Sequence, residues 1–311
     1  MPGKISIIGA GNVGATSAQR IAERGYADVV LVDIVEGLPQ GKALDIQQSA
    51  PVINFKTTIT GSNDYKDTAG SELVIVTAGL FRKPGMTRDQ LLAANTEIVT
   101  GVINNAVKYS PECIILMVSN PLDAMTYLAV KASKFPRKRV VGLSGVLDSA
   151  RLSTFIAAEL NVPVADISAW VLGAHGLNMV VIPRLTTVRG KPLTELLPQE
   201  TIARLAARAV EGGREIVDLL KSGSAFYAPS AGIARMAEAI VLDKKETLPC
   251  AALLDGEYGI TDSVIGVPVK LGKGGIEQIV EFDLTAGEKQ LLYDSAEGIK
   301  LLIRTMLSNR R

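Results

Sequence analysis

Short apolar runs alternate with longer amphipathic stretches through the first half of the chain. The runs are Ile5–Ile8, Val29–Val32, Leu73–Val76, Ile114–Val118 and Val140–Leu143. Between them, apolar residues recur at helical spacing, as at Leu91, Ile98, Val102 and Val107. Strands this apolar are buried on both faces, as in a parallel sheet covered by helices. The alternation therefore predicts an α/β fold built on a doubly wound parallel sheet.

The second half reads differently. Ile167–Leu172, Met179–Ile182 and Thr186–Val188 have the character of antiparallel strands set around Gly and Pro turns. Helices are expected near Gln199–Leu220 and Ala231–Leu242, then strands near Leu248–Leu254 and Val264–Leu271. A Gly272–Gly275 turn and a closing helix from about Thr285 complete the pattern. The change of pattern divides the chain near residue 143 into a nucleotide-type domain, 1–143, and an α+β domain, 144–311. No internal repeat or low-complexity linker separates them.

Composition narrows the function classes. The 311 residues suffice to bury about 75% of the surface an unfolded chain exposes. With 33 Lys+Arg against 32 Asp+Glu, the net charge of +1 offers no footprint for nucleic acid or an anionic membrane. Anion recognition must then come from individual arginines. No apolar stretch approaches the ~18 residues of a membrane span, and Ile5–Ile8 is too short for a signal-peptide core. Cys113 and Cys250 are far apart and belong to no metal-type cluster, so they are expected as buried, reduced thiols of a cytoplasmic protein.

Gly9-Ala10-Gly11-Asn12-Val13-Gly14 fits G-x-G-x-x-G between a strand and a helix. Gly9 suits the tight turn, Gly11 a close approach to a pyrophosphate, and Gly14 helix packing on the strand. The helix start then presents free N–H groups to phosphate. Asp33 ends the second strand 19 residues after Gly14 (33 − 14), where an acid accepts from a ribose 2′-OH. A carboxylate there repels a 2′-phosphate, so NAD is favoured over NADP.

His175 is the single histidine of the chain. Its ordinary pKa near neutrality suits a proton donor that recycles. Asp148 and Arg151 stand i,i+3 on one helix face, the first able to orient an imidazole, the second to grip a carboxylate with two hydrogen bonds. Arg82 and Arg88 flank a Gly/Pro-containing loop after Leu73–Thr77, at the carboxyl end of the sheet where ligand crevices form. Asn120-Pro121 also follows a parallel strand, and Asn120 is placed to contact a ligand. Each feature alone also has a structural reading: a core histidine, a surface ion pair, a basic loop, a plain turn.

Taken together, the residues resemble the malate/lactate dehydrogenase family. The resemblance runs through the Gly9–Gly14 loop, Asp33, Gln40–Asp45, Arg82–Arg88, Ser119–Asp123, Gly145–Arg151, Gly173–Gly176 and Gly266–Pro268. It covers nearly the whole chain and implies a Rossmann-type N-terminal domain followed by a substrate domain. It further implies that His175 exchanges the proton with the substrate oxygen, partnered by Asp148. Arg88 would polarise the carbonyl and Arg151 would clamp the C1 carboxylate. Asn120 would contact substrate or cofactor. Gly9, Gly11, Asn12, Val13, Gly14, Asp33, Asn95, Val118 and Asn120 would hold NAD. No metal is implied. In family terms, arginine at 82 marks malate-type members and glutamine lactate-type members. A guanidinium there would pair with the second carboxylate of oxaloacetate. The family also implies a homodimer or homotetramer, with Gly41–Asp45 near the interface, and a place in the tricarboxylic acid cycle.

One position departs from the family pattern. The family usually has Asp directly after the His-Gly pair, whereas this chain has Leu177. Either the supporting shell is altered and activity lowered, or the site is badly positioned; the complete catalytic set favours the first. Two other functions stay open at this point. One is a lactate or other 2-hydroxy-acid dehydrogenase. The other is a non-catalytic NAD-binding sensor or scaffold.

Overall fold

The computed structural model describes residues 3–80, 86–176 and 178–308, apart from the side chain of Arg88. Arg82 and Leu177 lie outside the described residues. The first half comprises β1 (Gly3–Ile8), α1 (Asn12–Arg24), β2 (Ala27–Val32), α2 (Leu38–Ile53), β3 (Ile59–Ser62), β4 (Leu73–Val76), α3 (Arg88–Tyr109), β5 (Ile114–Met117), α4 (Leu122–Ser133) and β6 (Val140–Gly142). Its strands are parallel in the order β3-β2-β1-β4-β5-β6. The order reverses between β1 and β4, the switch point where doubly wound sheets open a ligand crevice. Ile5, Ile7, Leu73, Ile75, Ile115 and Leu116 are fully buried, as the unbroken apolar runs require.

β3 was not legible from hydrophobicity, because Ile59-Thr60-Gly61-Ser62 holds one large apolar residue. It is an edge strand, where polar residues are tolerated. A Cβ at Gly61 would strike the main chain of Pro39, so glycine there lets α2 lie directly on the strand.

The second half comprises α5 (Gly145–Leu160), β7 (Ile167–Ser168), β8 (Val171–Gly173), β9 (Met179–Val181), β10 (Thr187–Val188), β11 (Lys191–Pro192), α6 (Leu193–Leu196), α7 (Gln199–Leu220), α8 (Tyr227–Val241), β12 (Glu246–Asp255), β13 (Thr261–Gly272), β14 (Gly275–Ile279) and α9 (Ala286–Ser308). The run Ile167–Leu172, expected as one strand, divides into two. β7 joins β10 and β11 in a small sheet, while β8 joins the main one. β12 pairs antiparallel with β6 through Ala251 and Gly142, so one eleven-stranded mixed sheet crosses both halves. β13 then pairs with β12 and, at Gly266, with Gly173 of β8. A second apolar cluster of Leu152, Ile156, Ile202, Leu205 and Ala209 joins α5 to α7.

Helix contacts reinforce the junction. Arg20 Nε donates to Ser230 Oγ at 3.0 Å, and the buried Tyr26 hydroxyl donates to Ala234 O at 3.0 Å. Cys113 and Cys250 are buried and free. No helix among the described residues is long and apolar enough to cross a membrane.

Candidate active site

A cleft of about 930 Å³ runs along the carboxyl ends of β1, β2, β4 and β5 and ends among residues of the second half. Gly9, Gly11, Asn12, Val13, Gly14, Asp33, Val118 and Asn120 line it. The glycine loop has the geometry its spacing requires. Gly9 has φ +111°, and a Cβ there would lie 2.6 Å from Thr77 Oγ1. A Cβ at Gly14 would strike Gly9 O, whereas one at Gly11 meets nothing within 4 Å. Gly11 is thus the open floor on which a phosphate can settle at the start of α1. Asp33 Oδ2 accepts from Ala10 N at 2.7 Å, and Oδ1 accepts from Val35 N at 3.0 Å. These bonds aim the carboxylate across the loop while each oxygen keeps a second acceptor position for a ribose hydroxyl.

The far end of the cleft holds His175 and Arg151. His175 lies in a sharp turn after β8, with Gly173 at φ +77° and Gly176 at φ +104°. Its Nδ1 is 2.8 Å from Oδ2 of Asp148, which is 1% exposed. With Nδ1 engaged, Nε2 is the nitrogen left for a substrate proton. Burial alone would lower the imidazole pKa. The charge and hydrogen bond of Asp148, with a smaller pull from Asp123, outweigh it and leave the pKa above its usual 6.5.

Arg151 stands 3.5 Å from Asp148 Oδ1, an ion pair without a hydrogen bond. Among the described residues, Arg151 Nε and Asp148 Oδ1 are buried with no hydrogen-bond partner. A partly buried guanidinium with unspent donors suits a planar carboxylate. Burial lowers the arginine pKa, against the pull of Asp148, but an arginine stays cationic. Ser149 Oγ accepts from Val171 N at 3.0 Å, fixing α5 to β8 and so Asp148 to His175.

Asn120 is exposed in the cleft, and the Asn120-Pro121 peptide is cis. Asn95 stands behind the wall instead. Its Oδ1 accepts from Leu80 N at 2.7 Å, and its Nδ2 donates to Leu80 O at 3.2 Å and Asn120 O at 2.8 Å. Its amide therefore braces the two loops that flank the crevice. Of Arg88, only the main chain is described. Its helix opens with a capping box in which Thr87 and Gln90 satisfy each other's N–H groups. No group of three His, Cys, Asp or Glu side chains suited to a metal occurs among the described residues.

The lactate/malate dehydrogenase NAD-binding domain matches residues 3–142, and the family's α/β C-terminal domain matches residues 145–309. The chain belongs to the lactate/malate dehydrogenase family. It is 60% identical over 303 residues to a malate dehydrogenase of Dehalococcoides mccartyi, covering 97% of this chain and 99% of that one. The solved malate dehydrogenase of Salinibacter ruber superposes with a TM-score of 0.95 at 50% identity, over 99% of this chain and 98% of that one. A lactate dehydrogenase of Cryptosporidium parvum, solved with lactic acid and NAD, gives 0.95 at 39% identity, with 98% of each chain covered.

For a member of this dehydrogenase family, the open floor at Gly11 and the carboxylate of Asp33 fit NAD. Three features of the family site escaped the sequence. Asp123 Oδ2 accepts from His175 N at 2.8 Å. Ser295, from α9, accepts from Ala174 N at 2.8 Å and donates to Asn178 O at 2.6 Å. Gly212 and Gly213 of α7 lie against the Arg151 side chain. A pair of adjacent glycines inside a 22-residue helix was the available signal, since each is unfavourable there.

Proposed function

We propose that the chain is an NAD-dependent malate dehydrogenase, reversibly interconverting malate and oxaloacetate. The observation that carries this is the His175–Asp148 pair beside Arg151 at the inner end of the nucleotide cleft. The 60% identity to proteins named malate dehydrogenase supports the choice of substrate. NAD, when bound, supplies the hydride acceptor or donor.

The chain's own groups do the rest. Arg151 binds the C1 carboxylate with the donors left free by its ion pair to Asp148. His175 Nε2 gives its proton to the carbonyl oxygen in reduction and takes one from the hydroxyl in oxidation. Asp148 holds the ring through Nδ1 and stabilises the charged form. Arg88 polarises the carbonyl, and Arg82 pairs with the second carboxylate. Gly9, Gly11, Asn12, Val13, Gly14, Asp33, Val118 and Asn120 bind the dinucleotide, with Asn95 bracing their loops. The working division falls near residue 143, with cofactor binding in 1–143 and proton transfer in 144–311. Exposed Leu44, Val52 and Ile53 on α2 support assembly into a homodimer or homotetramer. Buried free thiols suit a reducing compartment such as the cytoplasm.

The test is NADH oxidation with oxaloacetate against pyruvate. Oxaloacetate should be greatly preferred. A preference for pyruvate would make the chain a lactate dehydrogenase. NADH binding without turnover of any 2-keto acid would make it a sensor.

A further inference from the structure

Asp123 lies in the first turn of α4, 2% exposed, with Oδ2 on the main-chain N–H of His175 at 2.8 Å. Its Oδ1 is buried with no hydrogen-bond partner among the described residues. Burying a carboxylate this way is costly, and a neutral side chain could accept the same N–H at less cost. The compensation within reach is the imidazole itself. The charged and titratable groups facing His175 are Asp123 from α4 and Asp148 and Arg151 from α5. From α9 the contact to this turn is Ser295, which carries no charge. One imidazole thus sits between two buried carboxylates, with one guanidinium opposing its protonation.

We infer that Asp123 is a positioning residue for proton transfer, anchoring the His175 main chain from α4 and favouring the protonated imidazole by its charge. Burial pushes the Asp123 carboxyl up to about 7, against the pull of the imidazole. Each group feels the other's charge, and the two titrate as a coupled pair. A proton on His175 helps keep Asp123 ionised, and an ionised Asp123 helps hold that proton. Asp148 fixes the ring. Asp123 fixes the main chain from which the ring departs, and with Ser295 it holds Ala174, His175 and Asn178 from two helices.

The inference rests on His175 being the proton donor, and the experiment separates the two. Asp123→Asn keeps the shape and an acceptor oxygen but removes the charge. Asp123→Ala removes both. In the full-length protein, the single histidine can be titrated directly by NMR, and kcat/KM for oxaloacetate reduction followed against pH. Asp123→Asn should lower the histidine pKa by roughly half a unit to one unit and move the alkaline fall of kcat/KM to lower pH by the same amount. The rise of malate oxidation with pH should move the same way. Asp123→Ala should lower kcat further than Asp123→Asn, with the Kd for NADH unchanged in both.

An unmoved histidine titration in Asp123→Asn overturns the charge role. Equal kcat in Asp123→Asn and Asp123→Ala overturns the anchor. Should Asp123→Ala not fold, the Asn variant decides alone. Full turnover in His175→Asn would remove the proton-donor reading itself. An inactive His175→Asn beside an unmoved Asp123→Asn profile would remove only this inference.

Discussion

Gly213 lies beneath the guanidinium of Arg151, close enough that a Cβ at that position would come within 3.2 Å of Nη2. Gly212 bears on the same side chain, its Cβ position lying 3.2 Å from Cδ. The helix gives up stability here and leaves room for Arg151, the proposed carboxylate-binding arginine. Gly213→Ala should raise helix stability by up to about 1 kcal/mol while displacing the guanidinium. The KM for oxaloacetate should then rise about tenfold, a loss of ~1.4 kcal/mol from a charge-assisted contact, with NADH affinity unchanged. Thermal unfolding and steady-state kinetics on one preparation check both signs. An unaltered KM would mean that the glycines serve packing alone.

The proposed function gives substrate choice to Arg82. Arg82→Gln removes a charge-assisted hydrogen bond worth about 1.5–3 kcal/mol. The ratio of kcat/KM for oxaloacetate over pyruvate should fall by about 10- to 150-fold. A constant ratio would remove Arg82 from the specificity pocket.

The proposed function gives cofactor choice to Asp33. Asp33→Asn keeps an acceptor for Ala10 N but removes the charge that repels a 2′-phosphate. Relative use of NADPH over NADH should rise about tenfold or more, at the scale of one charge-assisted contact. Paired kcat/KM values for the two reduced cofactors measure it.

Stability should fall as pH rises through neutrality. His175 has a folded pKa above 6.5, so its contribution is full below the unfolded value and is lost as pH passes the folded one. Asp123, raised from 3.8 to about 7, titrates with it as a coupled pair, and near neutrality the folded pair holds more protons than the same two groups do in the unfolded chain, so it acts in the same direction. Denaturant midpoints between pH 6 and pH 8 should therefore decline, and the decline should weaken in Asp123→Asn. A midpoint that rises across this window would reverse both assignments.

Leu177→Asp restores the acid usual after the His-Gly pair. If Leu177 weakens only the surroundings of His175, kcat should rise severalfold, and no gain should appear in a His175→Asn background.

The parallel half was readable because its strands are buried on both faces and carry the fact in their composition. Ile5–Ile8 and Leu73–Val76 need no partner to be recognised. β3 was not readable, because an edge strand of Thr, Gly and Ser owes its state to β2 and α2. The run Ile167–Leu172 looked continuous, but tertiary pairing draws β7 and β8 into different sheets. At the site, the spacing of Asp148 and Arg151 showed a shared helix face, and the glycine loop showed its own purpose. Asp123 and Ser295 gave no such sign. Their importance lies in reaching a turn far away in sequence, and hydrogen bonds across 52 and 121 residues leave no local periodicity. Asn95 was expected at the cofactor and stands one layer back, where its amide saturates the main chain of Leu80 and Asn120.

The pairing of β6 with β12 joins the two halves by main-chain hydrogen bonds rather than a pliable tether. A clamshell motion would have to break that bridge between Gly142 and Ala251. That pairing favours rearrangements in side chains and short connecting segments over an opening between the halves.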